Sequence, residues 1–235
     1  MPVPFFYYTH YQKGQQQITL DEDTSKHIVQ VLRMVNGEAV SLTDGKGHLL
    51  ECSITEAHKK HCTVAVNTTG FTAAPLRQIH IAIGLLKNAN RWEWFLEKAT
   101  EIGVSHITPL LTKRTEKDKF RYDRMQTICI SAMLQSQQVW LPVLHEPVGY
   151  DKFITAHKGG LQLIAHCEEG QERQQLAAMP IPDGETTLLI GPEGDFTVEE
   201  IALALEQQYK AVSLGATRLR TETAGIVGAA LLCVR

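Results

Sequence analysis

No stretch of this chain approaches the roughly 18 consecutive apolar residues that a membrane-spanning helix needs. Its first residues, MPVPFFYYTH, lack the basic-then-apolar order of a secretory signal. No membrane partner is expected, and a cytoplasmic location is. The five cysteines (Cys52, Cys62, Cys129, Cys167 and Cys233) are an odd number with no CxxC pair, which argues against a disulfide framework and against a zinc site. The ten histidines are scattered without HExxH or comparable spacing, so no metal is expected. A large excess of one charge is also missing. The net charge is −3, with 43% hydrophobic and 21% charged residues, the balance of an ordinary globular protein.

Charge is nevertheless unevenly placed. From Lys113 to Arg124 there are six basic residues against three acidic ones, whereas Glu168 to Glu206 carries ten acidic residues opposed only by Arg173. The basic run reads either as a solvated helix face or as a local patch that meets phosphates.

Residues 1–72 read mainly as β structure, with strand-like runs over 38–43, 49–55 and 62–67. An early helix is expected over 22–34, with Ile28, Val31, Leu32 and Val35 on one face, and a linker over 68–75. Residues 73–235 alternate between buried-strand runs (79–84, 107–111, 161–165, 188–190, 211–214) and helical stretches over 91–103 and 122–139. This pattern predicts an α/β domain with a parallel sheet covered on both faces.

Two glycine-bearing segments near the end of the chain carry the chemistry. In the first, Leu188 to Ile190 form an apolar strand stopped by Gly191, Pro192 and Gly194. Thr197 with Glu200 is a capping box, and Phe196 with Ile201 its hydrophobic staple. The loop between them lies where open α/β sheets bind ligands, although a Gly/Pro turn alone would have the same composition. In the second segment, Gly215 follows another strand, Thr221 is a candidate cap for a helix from Glu222 to about Val234, and Arg218 and Arg220 stand between. Neither loop has the GxxxxGK[ST] or GxGxxG spacing of a phosphate cradle. The expected ligand lacks a polyphosphate.

The order IGPEG, SLG, LRTETA and a closing helix resembles the knotted SPOUT-type RNA methyltransferases. Within them the chain is most similar to the bacterial 16S ribosomal RNA uridine N3-methyltransferase family. Supporting matches are His27 with Val31 to Arg33 and Gly37, Leu85 to Lys87, Glu97 to Val104, Lys113 to Glu116, and Gln135 with Ser136. The chain departs from the family pattern at Asp195, where GPEGG is usual, at Thr217, where an arginine is usual, and at Gln137, where an arginine commonly follows the Gln-Ser pair.

The resemblance implies a small PUA-like β-barrel followed by a SPOUT-type parallel sheet with a C-terminal trefoil knot. It also implies S-adenosylmethionine as methyl donor, held by His166, Ile190, Gly191, Pro192, Glu193, Gly194, Ser213, Leu214, Gly215 and Leu219, with Cys167 beside His166 in one wall. Arg220, then Arg218, would stabilise charge on the uracil oxygens, and Glu222 would accept the N3 proton. His27, Arg33, Lys87, Arg91, Lys113 and Arg114 would hold the RNA. The implied partners are 16S rRNA in the small ribosomal subunit and a second copy of the chain. For the dimer, the closing helix offers Ile226, Val227, Ala230, Leu231 and Val234. Two alternatives stay open on the sequence: methylation of another RNA position, such as a ribose 2′-hydroxyl, or a non-catalytic RNA binder in ribosome assembly.

Overall fold

The computed structural model of the chain describes residues 3–116, 119–168 and 172–234; Lys117, Asp118 and Glu169, part of the charge runs above, lie outside them. The chain divides into two compact units, residues 1–74 with 133–141, and residues 75–132 with 142–235.

The first unit is built on β1 (Phe5–Tyr7), β2 (Gln17–Thr19), β3 (Ala39–Thr43), β4 (His48–Glu56) and β5 (Thr63–Phe71), ordered β1-β3-β4-β5-β2. The β1–β3 pair is parallel and the others antiparallel. Inward residues such as Val40, Leu42, Leu50, Cys52, Ile54 and Val64 alternate with solvent-facing ones and form its core. The expected linker begins later than its composition predicted, because Thr68 to Phe71 continue β5 against β4. Residues 133–141 complete the unit: Gly47 N–H donates to Val139 O at 2.9 Å, and Trp140 Nε1 to Thr72 O at 3.0 Å.

The early helix is shorter and differently wound than its periodicity suggested. α1 (Glu22–Lys26) is capped by Asp21 and passes at His27 into a single π turn over His27–Val31, where Leu32 N–H bonds His27 O. The wider turn breaks the 3.6-residue period. Ile28 therefore stays in the core while Val31, Leu32 and Val35 turn outward. Arg33, at φ 57°, ends the segment.

The second unit is an eight-stranded parallel sheet. Its elements are β6 (Arg77–Gly84), α2 (Ala89–Ile102), β7 (His106–Leu111), α3 (Tyr122–Gln135), β8 (Val143–Leu144), β9 (Val148–Gly149), α4 (Tyr150–Ala156), β10 (Leu161–Ala165), β11 (Gln174–Gln175), β12 (Gly184–Ile190), α5 (Val198–Glu206), β13 (Lys210–Ser213) and α6 (Thr221–Cys233). The strand order is β11-β13-β10-β12-β6-β7-β8, with β9 also on β7. The interior strand β6 is buried on both faces from Ile79 to Gly84, as a parallel strand under two helix layers must be, and its one polar residue there is His80. One face joins Ala82 and Leu189 to Tyr150, Phe153 and Ile201 of α4 and α5. Against the other lie α6, in contact with β6 and β12, and α2, which packs on α6 and whose Trp92 Nε1 donates to Gly84 O at 3.2 Å.

Two ends differ from the sequence expectation. α3 stops at Gln135 and Gln137 takes φ 56°. Arg220, not Thr221, is the N-cap of α6; its extended backbone lets its carbonyl accept from Ala224 N–H at 2.7 Å, with Thr221 already helical.

Candidate functional site

The carboxyl ends of β13, β10, β12 and β6 are adjacent, and the loops leaving the first three enclose a cleft of about 700 Å³. Such crevices outside the carboxyl ends of parallel strands are where this architecture binds ligands. The floor comes from Ala165, Ile190 and Val212, one residue from each strand end.

The first glycine loop is pinned from several sides. Gly84, at the end of β6, faces Pro192 so closely that an added Cβ would lie 2.6 Å from Pro192 N. Glu193 accepts the Lys87 N–H through Oε1 at 3.2 Å. The capping box is formed, with Thr197 N–H on Glu200 Oε2 at 2.8 Å and Glu200 N–H on Thr197 Oγ1 at 3.3 Å. Glu200 is buried and its Oε1 also takes the Lys113 N–H at 2.8 Å. One carboxylate thus ties the loop after β7 to the start of α5.

Of the residues expected to hold the cofactor, His166, Ile190, Gly191, Pro192, Glu193, Ser213, Leu214, Gly215 and Leu219 all line the cleft, and Cys167 does too. Gly194 does not. Its Cβ position faces the Arg114 side chain, which donates to the Gly194 and Phe196 carbonyls. Arg114 therefore supports the loop from outside.

His166 is buried, and both its ring nitrogens are buried without a hydrogen-bond partner in the structure. Burial pushes its pKa down, as does the nearby Arg173 guanidinium, so the ring is neutral near pH 7. Unpaired buried polar atoms are costly, and here they lie on a cleft wall. Arg173, which sequence reasoning used only as a charge count, lines the same cleft and donates to His166 O at 2.6 Å.

Arg218 and Arg220 are exposed and line the cleft. Glu222 is buried and, unlike them, is not among the residues that line the cleft. Its Oε1 is 3.7 Å from Arg91 Nε, and its Oε2 has no hydrogen-bond partner. Arg91, expected to contact RNA, thus reaches the cleft wall as well. Lys87 and Lys113 are exposed on neighbouring loops, paired with Glu116 at 2.6 Å and Glu199 at 3.9 Å. His27 and Arg33 are exposed on the first unit.

A cleft at the carboxyl ends of a parallel sheet, lined by two glycine loops without phosphate-cradle spacing and accompanied by a smaller curled β unit, is the arrangement of an RNA methyltransferase. The chain belongs to that family: the RNA methyltransferase domain matches residues 72–233 and the RNA methyltransferase PUA domain residues 20–67. Similar solved structures include a probable rRNA-methyltransferase of Porphyromonas gingivalis, 35% identical with a TM-score of 0.89, covering 99% of this chain and 100% of that one. The ribosomal RNA small subunit methyltransferase E of Neisseria gonorrhoeae, bound to S-adenosylmethionine, is 28% identical with a TM-score of 0.83, covering 97% and 95%. The ribosomal RNA small subunit methyltransferase E of Synechocystis is 28% identical over 219 residues, 91% of this chain and 71% of that protein.

Proposed function

We propose that this chain methylates N3 of a uridine in 16S ribosomal RNA of the small subunit, with S-adenosylmethionine as donor. The observation that carries the reading is the cleft: strand-end backbone, an orphaned imidazole and two arginines, with no phosphate cradle. Family membership and the names of the relatives support it.

The residues present suit this cofactor. An adenine needs apolar walls and a few backbone or imidazole partners, and a sulfonium needs no phosphate site. Ile190, Leu214 and Leu219 would supply walls, the backbone at Gly191, Ser213 and Gly215 polar contacts, and His166 its free ring nitrogens. When bound, S-adenosylmethionine supplies an electrophilic methyl group.

The protein must generate the nucleophile. Uridine N3 carries a proton at neutral pH, and its removal spreads negative charge onto O2 and O4. Arg220 at the cleft matches that charge as it develops, with Arg218 beside it. Glu222, with one buried carboxylate oxygen unpaired, accepts the proton. His27, Arg33, Lys87, Arg91, Lys113 and Arg114 contact RNA, whose target base must be unstacked to enter. The same reading carries a C-terminal trefoil knot around the two glycine loops, a cytoplasmic location and a homodimer formed beside α6.

Mass spectrometry of small-subunit RNA after incubation with protein and cofactor tests the proposal. N3-methyluridine supports it, and a 2′-O-methylated nucleoside or no product overturns it.

A further inference from the structure

At the other end of the same strands, far along them from the cleft loops, the fold gathers side chains that the proposed reaction does not use. In the parallel sheet His80 of β6 is in register with Thr187 of β12 and His106 of β7. Registered residues and those two positions away share a face, so Glu185 and Thr108 stand on that face too. α4 covers it, and its C-cap residue His157 stacks on Phe153, with ring centroids 5.0 Å apart. Ligand-type atoms of His80, His157 and Glu185 all lie within 4.8 Å of one another.

We propose that His80, His157 and Glu185 form a binding site for a divalent transition-metal ion, zinc by preference, that ties the end of α4 to β6 and β12. Two imidazoles with one carboxylate are a zinc-type donor set, borderline in softness and unsuited to calcium or magnesium. Donors about 2.0–2.1 Å from a tetrahedral ion sit roughly 3.3 Å from each other. His157 Nε2 and Glu185 Oε1 already stand 3.1 Å apart.

The surroundings supply one outer hydrogen bond of the kind that orients a metal-ligating imidazole. Thr108 Oγ1 is 2.8 Å from His80 Nε2, which leaves Nδ1 of that ring for an ion; Thr187 Oγ1, 2.7 Å from His157 Nε2, shares the nitrogen that faces Glu185 and would yield it to the ion. His80 is buried; burial first, then His157, His106 and His145, hold it neutral and its lone pair available. Glu185 is exposed and opens a path from solvent. The sequence expectation of no metal rested on short-range spacing, and these ligands come from positions 80, 157 and 185, brought together only by the packing of α4 on the sheet.

The competing explanation is that His157 simply pairs with Glu185 and Thr187. Zinc titration of the untagged, chelator-treated full chain by calorimetry separates the two, with cobalt absorption as a second readout. One saturable zinc per chain is expected, weakened at least about tenfold by either Glu185→Gln or His157→Ala. Zinc should raise the melting temperature of the parent protein and of neither variant. S-adenosylmethionine affinity should be unchanged by both substitutions, so failure here is distinguishable from failure of the methyltransferase reading. The proposal is overturned by the absence of saturable binding, by equal binding in the two variants and the parent, or by loss of binding in His58→Ala/His61→Ala, a stacked imidazole pair elsewhere in the chain.

Discussion

The Asp195 carboxylate joins two walls of the cleft: Oδ2 accepts the Cys167 backbone N–H at 2.8 Å while Oδ1 accepts the Phe196 N–H at 2.8 Å. Asp195 sits at φ 62°, a left-handed conformation that aspartate tolerates better than most side chains. This explains how it can stand where the family pattern has glycine. Partial desolvation first and the Asp195 charge next raise the pKa of the Cys167 thiol, with Arg218 and Arg173 pulling it down. A raised pKa means less thiolate at a given pH, and thiolate is the reactive form. Iodoacetamide should therefore label Cys167 slowly near pH 8, Asp195→Asn should speed labelling several-fold, and saturating S-adenosylmethionine should suppress it. Labelling that ignores both the substitution and the cofactor would contradict the geometry.

Gly191 is the glycine whose replacement should disturb the cleft most directly. A Cβ there would lie 2.9 Å from Asp195 Oδ1 and 3.0 Å from Phe196 N, so Gly191→Val must push the loop apart. Calorimetry should show S-adenosylmethionine binding weakened at least about tenfold, equivalent to about 1.4 kcal/mol. Gly194→Val, facing Arg114 instead, should have the smaller effect. The reverse order would mean that the cofactor approaches the loop from its Arg114 side.

Arg220→Ala should lower turnover roughly 100- to 1000-fold, the usual effect of losing one donor to a developing oxyanion, with little change in cofactor affinity. Because N3 must lose a proton, the wild-type rate should rise with pH through the neutral range until another step limits. Near-normal turnover in the variant, or full rescue by excess cofactor, would remove Arg220 from this role.

Glu200 accepts from two backbone donors while buried. Glu200→Ala strands both and deletes half of the capping box, which should destabilise the protein by about 1–3 kcal/mol. Glu199→Ala, one position away and exposed, should leave the unfolding midpoint close to that of the parent. Denaturant unfolding monitored by circular dichroism compares them, and equal midpoints would deny the buried carboxylate its structural role.

α6 uses its buried glycines, Gly225 and Gly228, against Phe95 and Leu188, while Ile226, Val227, Ala230 and Leu231 remain partly exposed and Val234 fully so. If that second face carries the proposed dimer, Leu231→Glu should shift sedimentation from dimer to monomer at micromolar concentration. A parent protein that is already monomeric and fully active would rule the dimer out.

What the sequence by itself determined is short-range. The Thr197 cap and its Glu200 partner, the Phe196–Ile201 staple, the apolar strand ends at Ile190 and Val212, and the α2 stripe of Trp92, Phe95, Leu96 and Ala99 each depend on neighbours within a few positions. Local backbone geometry therefore writes them directly into residue spacing. Family resemblance extended this to most of the cleft. Only the tertiary structure decided which distant groups meet. It set residues 133–141 against the first unit, turned Arg114 onto the Gly194 carbonyl, and brought Asp195 to Cys167. It also assembled His80, His157 and Glu185. These contacts join segments tens of residues apart, fixed by the order and register of parallel strands, and no local period encodes that order. The π turn at His27 shows the same limit inside one helix: one widened turn moved Val31 and Leu32 out of the core their spacing had implied.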